Sequence, residues 1–412
     1  MKKTVWFVTK YFEPPTEGTP GGRSFLLMDA LSKKGVDTVI ITSNSCNLYT
    51  FPELTNKVTK QSVNELNIVW LKTLSYKTAK SLRRVLSWFH FEWNLFFLDK
   101  TSLPRPDVVI ISSLSLLTIL NGLLIKRKFN CKLVFEIRDI WPLTLVEEGG
   151  VGRWNPFILF LSFVEKVGYK HADVIVGTMP NLKEHVKEVI GYERQVHCVP
   201  MGLASDYFDL KSFEKLGSEI EELIPADKFI VMYAGTIGIT NALETFFESA
   251  KILQCVEKIH FLVVGDGSLR SSFMDKYAGL KNLTFAPKVK KNQVQSILAK
   301  ADVLYLSTFP SKIWKYGQSL NKVIDYMLSG KPVIASYDGF PSMLNEANCG
   351  FFLPAGDVRA LVEKIEAVYK MPVDEQKKLG HNGRDWLITN RSYPKLAADY
   401  LDILFEHDEA FI

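Results

Sequence analysis

Short apolar runs alternate along the chain with stretches in which apolar residues recur every three or four positions. That pattern predicts parallel sheets covered by helices. In the first half it predicts a strand over 4–9, a Gly/Pro-rich loop to Gly22, a helix over 23–34 stopped by Gly35, and a strand over 38–42. Further strands are expected at 68–71, 108–111, 133–137 and 174–177, completing one doubly wound sheet. After Pro200-Met201-Gly202 the chain crosses a charged, loosely patterned stretch, 211–227, and restarts with a strand over 229–233. The alternation then repeats: helix 241–253, strands 260–264 and 303–307, helix 320–329 and strand 333–336. Two domains, 1–205 and 206–412, are expected, with the last helix, about 393–405, packing back on the first.

Segment 108–125 carries no charge and approaches the length of a membrane span. Its Ser112, Ser113 and Ser115 fit a strand, a turn and an amphipathic helix better, so no transmembrane segment is expected. The basic N-terminus leads into a first strand and lacks a small-residue cleavage site, so it is not read as a signal peptide.

Composition narrows the class. The 412 residues are 47% hydrophobic and 23% charged, which suits a globular protein and excludes a disordered or fibrous one. Five scattered cysteines suit a reducing cytoplasm. The net charge of +5 divides unevenly: residues 1–200 hold 26 Lys/Arg against 18 Asp/Glu, and residues 201–412 hold 24 against 27. An acidic surface is therefore expected to meet the first half.

Three groups of residues suggest chemistry. Gly235-Thr236-Ile237-Gly238 ends a strand just before a helix, with Asn241 and Glu244 as a possible capping pair. Small residues there let a phosphate approach free backbone N–H groups, although an ordinary strand-to-helix turn has the same composition. Gly265, Asp266 and Gly267 repeat the arrangement after the next strand, and both loops would lie at the carboxyl edge of one sheet, where ligands bind. In the run from Tyr316 to Pro332, Asn321 and Asp325 share a helical face and Lys322 lies in the first turn. A cation for phosphate then stands beside a carboxylate able to accept hydrogen bonds from ribose hydroxyls.

With these motifs the chain resembles bacterial family 4 glycosyltransferases of the GT-B fold, found in O-antigen and capsule pathways. The resemblance is carried by Gly21-Gly22-Arg23, Arg138-Asp139-Ile140-Trp141-Pro142, Gly177-Thr178-Met179-Pro180-Asn181, Tyr233 through Gly238 and Ser319 through Pro332. It implies an α/β architecture of two Rossmann-like domains whose parallel sheets face a central cleft, the first for acceptor and the second for donor. Gly21, Gly22, Gly235, Thr236, Gly265, Asp266, Gly267, Ser319 and Asn321 would meet the donor, and Asp325 would take the ribose-binding place of the second carboxylate in the family's Glu-x7-Glu motif. Gly317 stands where the first glutamate would be, so either the local loop differs in length or the donor sugar is held from elsewhere. The Arg and Lys that many relatives carry after Gly235 are also missing, leaving Lys322 and Arg23 to neutralise phosphate. Arg138 replaces the histidine of a frequent catalytic pair. Asp139 would then orient or deprotonate the acceptor hydroxyl while Arg138 holds an anionic group, or the two form a structural ion pair.

Segment 77–106 holds six Lys/Arg against Glu92 and Asp99, interleaved with six Trp/Phe. Lys80, Arg83, Arg84, Trp88 and Trp93 are expected to dock on an anionic bilayer that presents a lipid-linked glycan acceptor, although aromatics at helical spacing also build core helices. A nucleic-acid partner is not expected, because no binding motif accompanies the charge. Without an Asp-x-Asp or a zinc-spaced His/Cys cluster, no metal and no cofactor beyond the sugar nucleotide is expected. Together these features suit a cytoplasmic, membrane-peripheral enzyme, and the resemblance implies surface polysaccharide synthesis by transfer of sugar from a UDP-sugar with retention, Lys322 stabilising the leaving diphosphate. A nucleotide-sugar epimerase or a non-catalytic nucleotide-sugar-binding module are the alternatives.

Overall fold

The computed structural model describes residues 2–16, 19–46, 54–76, 78, 81–208 and 213–405. The chain divides into two compact units, residues 1–200 with 393–412, and residues 201–392.

The first unit is built on eight strands: β1 (Thr4–Val8), β2 (Asp37–Ser43), β3 (Val58–Val63), β4 (Leu66–Leu71), β5 (Val108–Ser112), β6 (Lys132–Ile137), β7 (Val174–Gly177) and β8 (Val196–Cys198). Their order is β3-β4-β2-β1-β5-β6-β7-β8, parallel except where β3 pairs antiparallel with β4 at the edge. β1 pairs on both sides, Val5 opposite Thr38 of β2 and Val108 of β5. Its five residues are all buried, as a strand covered on both faces requires.

Side chains alternate between the two faces of this sheet. Val5, Phe7, Ile110 and Val134 point toward the helices Arg23–Lys33 and Tyr393–Phe405, which pack on each other. The opposite face is covered by helices Leu82–Phe97, Thr118–Phe129 and Pro156–His171, packed side by side in that order. Gly122 and Gly168 let two of them lie close, since a Cβ at either would stand within 2.6 Å of Ile111 or Phe135.

In the second unit β9 (Phe229–Ala234), β10 (Ile259–Val264), β11 (Leu283–Ala286), β12 (Val303–Ser307), β13 (Val333–Ser336) and β14 (Gly350–Leu353) form an all-parallel sheet. The order is β11-β10-β9-β12-β13-β14. The chain runs outward from β9 through β10 to β11 and then restarts on the other side of β9 with β12. The loops at this reversal part from one another and leave a crevice at the carboxyl ends of the strands. One face is covered by helices including Glu244–Ile252 and Val358–Lys370, the other by helices including Val294–Leu298, Asn321–Leu328 and Val373–Arg391. The result is an α/β fold with two parallel-sheet domains. Among the described residues no helix is long and apolar enough to cross a membrane.

Candidate functional site

At the carboxyl edge of the second sheet lies a cavity of ≈ 530 Å³ formed entirely within that unit. Its floor is two strand-end loops held together by their backbones. The Gly235 N–H donates to Val264 O at 2.9 Å, and the Ile237 N–H donates to Asp266 O at 2.9 Å. A Cβ on Gly265 would stand 1.9 Å from Gly235 O, and one on Gly267 would stand 2.2 Å from Ile237 O. These glycines therefore bring two backbones together as well as baring peptide groups to the cavity.

Helix Asn321–Leu328 supplies the charged wall. Lys322, in its first turn, reaches back so that Nζ donates to Tyr233 OH at 3.0 Å and to Asn241 Oδ1 at 2.6 Å. Tyr233 OH in turn donates to Thr236 O at 2.6 Å. No carboxylate among the described residues pairs with Lys322, and burial pulls its pKa down from 10.5 to about 8. An enclosed cation bonded only to neutral acceptors is a place made for an anion.

Three residues on, and so on the same helical face, stands Asp325. Burial pushes its pKa from 3.8 up to about 6, against a smaller opposite pull from Lys291. Its carboxylate oxygens accept no hydrogen bond from any described residue, leaving them free for donors from a ligand. Val289, Val294 and Ile297 add an apolar wall, with Lys288 at the rim. Cation, bare peptide loops, free carboxylate and apolar slot together match the parts of a nucleoside diphosphate.

Seven residues expected at the donor site, Gly235, Thr236, Gly265, Asp266, Gly267, Lys322 and Asp325, line this cavity. Ser319 and Asn321 do not. Ser319 Oγ accepts the Met201 N–H at 2.8 Å, and the Asn321 side chain is exposed. Asn241 is not the expected helix cap. The helix begins at Glu244, and Asn241 holds Lys322 instead. Lys288, Val289, Val294 and Ile297 were not read from the sequence. Their signal was the unrecognised strand β11, whose carboxyl-end loop begins just before Lys288.

The remaining candidates lie in the first unit. Gly21, with φ of 94°, and Gly22 open the helix Arg23–Lys33. Arg23 is a correction, for it is not available to a phosphate. Its fully buried guanidinium pairs with Glu136 at 2.7 Å and donates to Val199 O and Pro200 O. The pair neutralises a carboxylate inside the unit. Arg138 and Asp139 follow β6 side by side but form no ion pair; burial lowers the pKa of Arg138 and raises that of Asp139. Trp88 and Arg84 are corrections too. Trp88 faces inward, its Nε1–H donating to Tyr11 OH at 2.7 Å, with Arg84 against its ring and Trp141 edge-on at 5.2 Å. The helix must bury one face on the sheet, and these residues are on it. Arg83 and Trp93 are exposed, and Lys80 lies outside the described residues.

Residues 228–371, which include the whole cavity, match the family model described as Glycosyl transferases group 1. The second unit carries a glycosyltransferase group 1 domain. The chain is 23% identical over 163 residues to EpsD of Bacillus subtilis (strain 168), a protein assigned to the glycosyltransferases; the match spans 38% of this chain and 40% of the relative. Among solved structures the sucrose-phosphate synthase from Thermosynechococcus elongatus covers 99% of this chain and 100% of its own at 18% identity and a TM-score of 0.69. The trehalose-6-phosphate structure from E. coli bound with UDP-2-fluoro glucose covers 98% and 99% at 12% identity and a TM-score of 0.73. HepE from Anabaena in complex with UDP and glucose covers 98% and 99% at 12% identity and a TM-score of 0.60. The fold is that of GT-B glycosyltransferases.

Proposed function

We propose that this protein transfers a sugar from a nucleotide-diphosphate donor, with UDP as the nucleotide, onto a lipid-linked glycan. The observation that carries the reading is Lys322, a cation without a counter-charge in a cavity that also offers a free carboxylate and an apolar wall, inside a glycosyltransferase group 1 domain. UDP is favoured because UDP or a UDP-sugar is the ligand named for two of the similar structures.

In this reading Val289, Val294 and Ile297 receive the base, Asp325 accepts from the ribose hydroxyls, and the diphosphate lies against Lys322 and the loop peptide at Thr236. As the bond between sugar and diphosphate breaks, charge grows on the departing phosphate oxygen. A cation held by two neutral acceptors gains most from meeting it at that moment. The phosphate charge is met by side chains and peptide dipoles, and no metal is required. Retention of configuration belongs to the proposal, as do Asp139 and Arg138 as the acceptor-side pair. Synthesis of a bacterial surface polysaccharide at the inner face of the cell membrane is the setting that a lipid-linked acceptor implies.

The test is nucleotide release from candidate UDP-sugars, with and without a lipid-linked acceptor, in chelator. Acceptor-dependent UDP release is expected. Sugar isomerisation without acceptor, or binding with neither, would overturn the reading.

A further inference from the structure

Helix Leu82–Phe97 is apolar on both sides. Ser87, Trp88, Phe91 and Leu95 are buried in the first unit, while Leu82, Leu86, Phe89, Trp93 and Phe97 are exposed. The exposed set recurs at spacings of four, three, four and four, which makes one continuous stripe along the outer face. At its end Trp93, Phe96 and Phe97 form a knot of rings, with Trp93 and Phe97 centroids 4.8 Å apart and Phe96 and Phe97 4.9 Å apart. Trp93 is 64% exposed and Phe97 63%. The stripe does not end with this helix. The neighbouring helix Thr118–Phe129 exposes Leu120 and Leu124, and the next, Pro156–His171, exposes Leu159, Phe160 and Phe163. A three-helix apolar surface of this kind exceeds the scattered exposure normal for a surface.

The exposed charges on the same three helices are of one sign. Their two acidic residues are turned inward: Glu92 accepts from Thr118 and Asn121, and Glu165 pairs with His185 at 2.6 Å. The exposed charged residues are Arg83, Arg127, Lys128, Lys166 and Lys170, all cationic. A second copy docking through the same patch would set these cations against one another. An anionic bilayer answers both features, taking aromatic side chains into the acyl boundary and cations at the phosphates.

We propose that the three-helix face of the first unit is seated on an anionic lipid bilayer, with the aromatic knot inserted below the headgroups. The inference goes beyond the transfer reaction and holds whether or not that reaction is as proposed. Its experiment uses the full chain with vesicles of phosphatidylcholine alone or mixed with phosphatidylglycerol, bearing brominated acyl chains for quenching. The parent is expected to bind the mixed vesicles, to leave them as salt is raised, and to lose tryptophan fluorescence to the bromines. Trp93→Phe should lose much of that quenching while still binding. The variant Arg127→Ser/Lys128→Ser/Lys166→Ser/Lys170→Ser should bind the mixed vesicles about tenfold or more weakly. UDP binding and melting temperature, unchanged in both variants, separate loss of docking from loss of fold. Failure of UDP binding in the parent would sink the transfer reading alone. Equal vesicle binding by parent and charge variant, or a dimer in solution that hides Trp93 and ignores vesicles, would overturn the docking proposal.

Discussion

Lys322 and Asp325 share one helical face, and the same burial acts on them in opposite directions. Each is pushed toward its neutral form, Lys322 to about 8 and Asp325 to about 6. Because the native state holds the Lys322 proton less tightly than the unfolded chain, the cost of burying its charge is full below about pH 8 and is relieved as pH rises toward 10.5. Diphosphate needs the charged amine, so UDP affinity is expected to fall above about pH 8. Binding near that pH should take up protons, measurable by calorimetry in buffers of different ionisation enthalpy. Lys322→Met should abolish both the proton uptake and the alkaline fall. Asp325 has the opposite sign: its raised pKa gives stability that is full below 3.8 and is lost as pH rises through about 6. Its ribose contacts need the carboxylate, so uridine, which carries no phosphate to titrate, should bind less well below about pH 6. Asp325→Asn should remove that acid limb and weaken uridine by about 1.5–3 kcal/mol per lost charge-assisted bond. Unaltered uridine affinity in a folded Asp325→Asn protein would remove Asp325 from the site. Arg23 is a different kind of residue, and Arg23→Met should strand the Glu136 charge and cost about 3–5 kcal/mol in chemical denaturation.

Among the elements, the loops after β9 and β10 depend on each other. Gly265→Ala would drive a methyl into Gly235 O, so it should destabilise the protein by about 2 kcal/mol or more and lower UDP affinity. A melting temperature equal to the parent's would show that the loops can part at little cost. This interdependence also marks what was legible in the sequence. The buried parallel strands announce themselves as apolar runs, and the strands predicted from 4–9 to 333–336 find counterparts from β1 to β13. The strands not foreseen are those whose composition hides them: β3, a largely polar edge strand, β8, only Val196–Cys198, and β11 and β14, short edge strands. Missing β11 meant missing the loop that brings Lys288 and Val289 to the cavity. Lys322 and Asp325 were legible because a helix fixes their spacing. The partners of Arg23 and Trp88 were not, since Glu136 and Tyr11 lie 113 and 77 residues away and only the packed fold brings them together.

For the whole molecule, the decisive feature is that helix Tyr393–Phe405 completes the unit begun by β1. Leu396, Ala397, Tyr400 and Leu404 sit in the same core as Val5 and Phe7, and Lys132 Nζ donates to Leu404 O at 2.6 Å. Each of the two leucines contributes about 1.5–3 kcal/mol through burial. Removing residues 393–412 is therefore expected to leave the first unit unable to fold stably while the second still melts cooperatively and binds UDP, as calorimetry of the truncated protein would show. A first unit that survived the truncation would mean its core closes without this helix. The same arrangement reverses the usual order of events at the ribosome, where a domain that emerges first ordinarily folds first. Here β1 and the strands that follow it must wait, with their apolar faces unsheltered, until helix Tyr393–Phe405 has been translated. The later-made unit, complete by residue 392, can close before them.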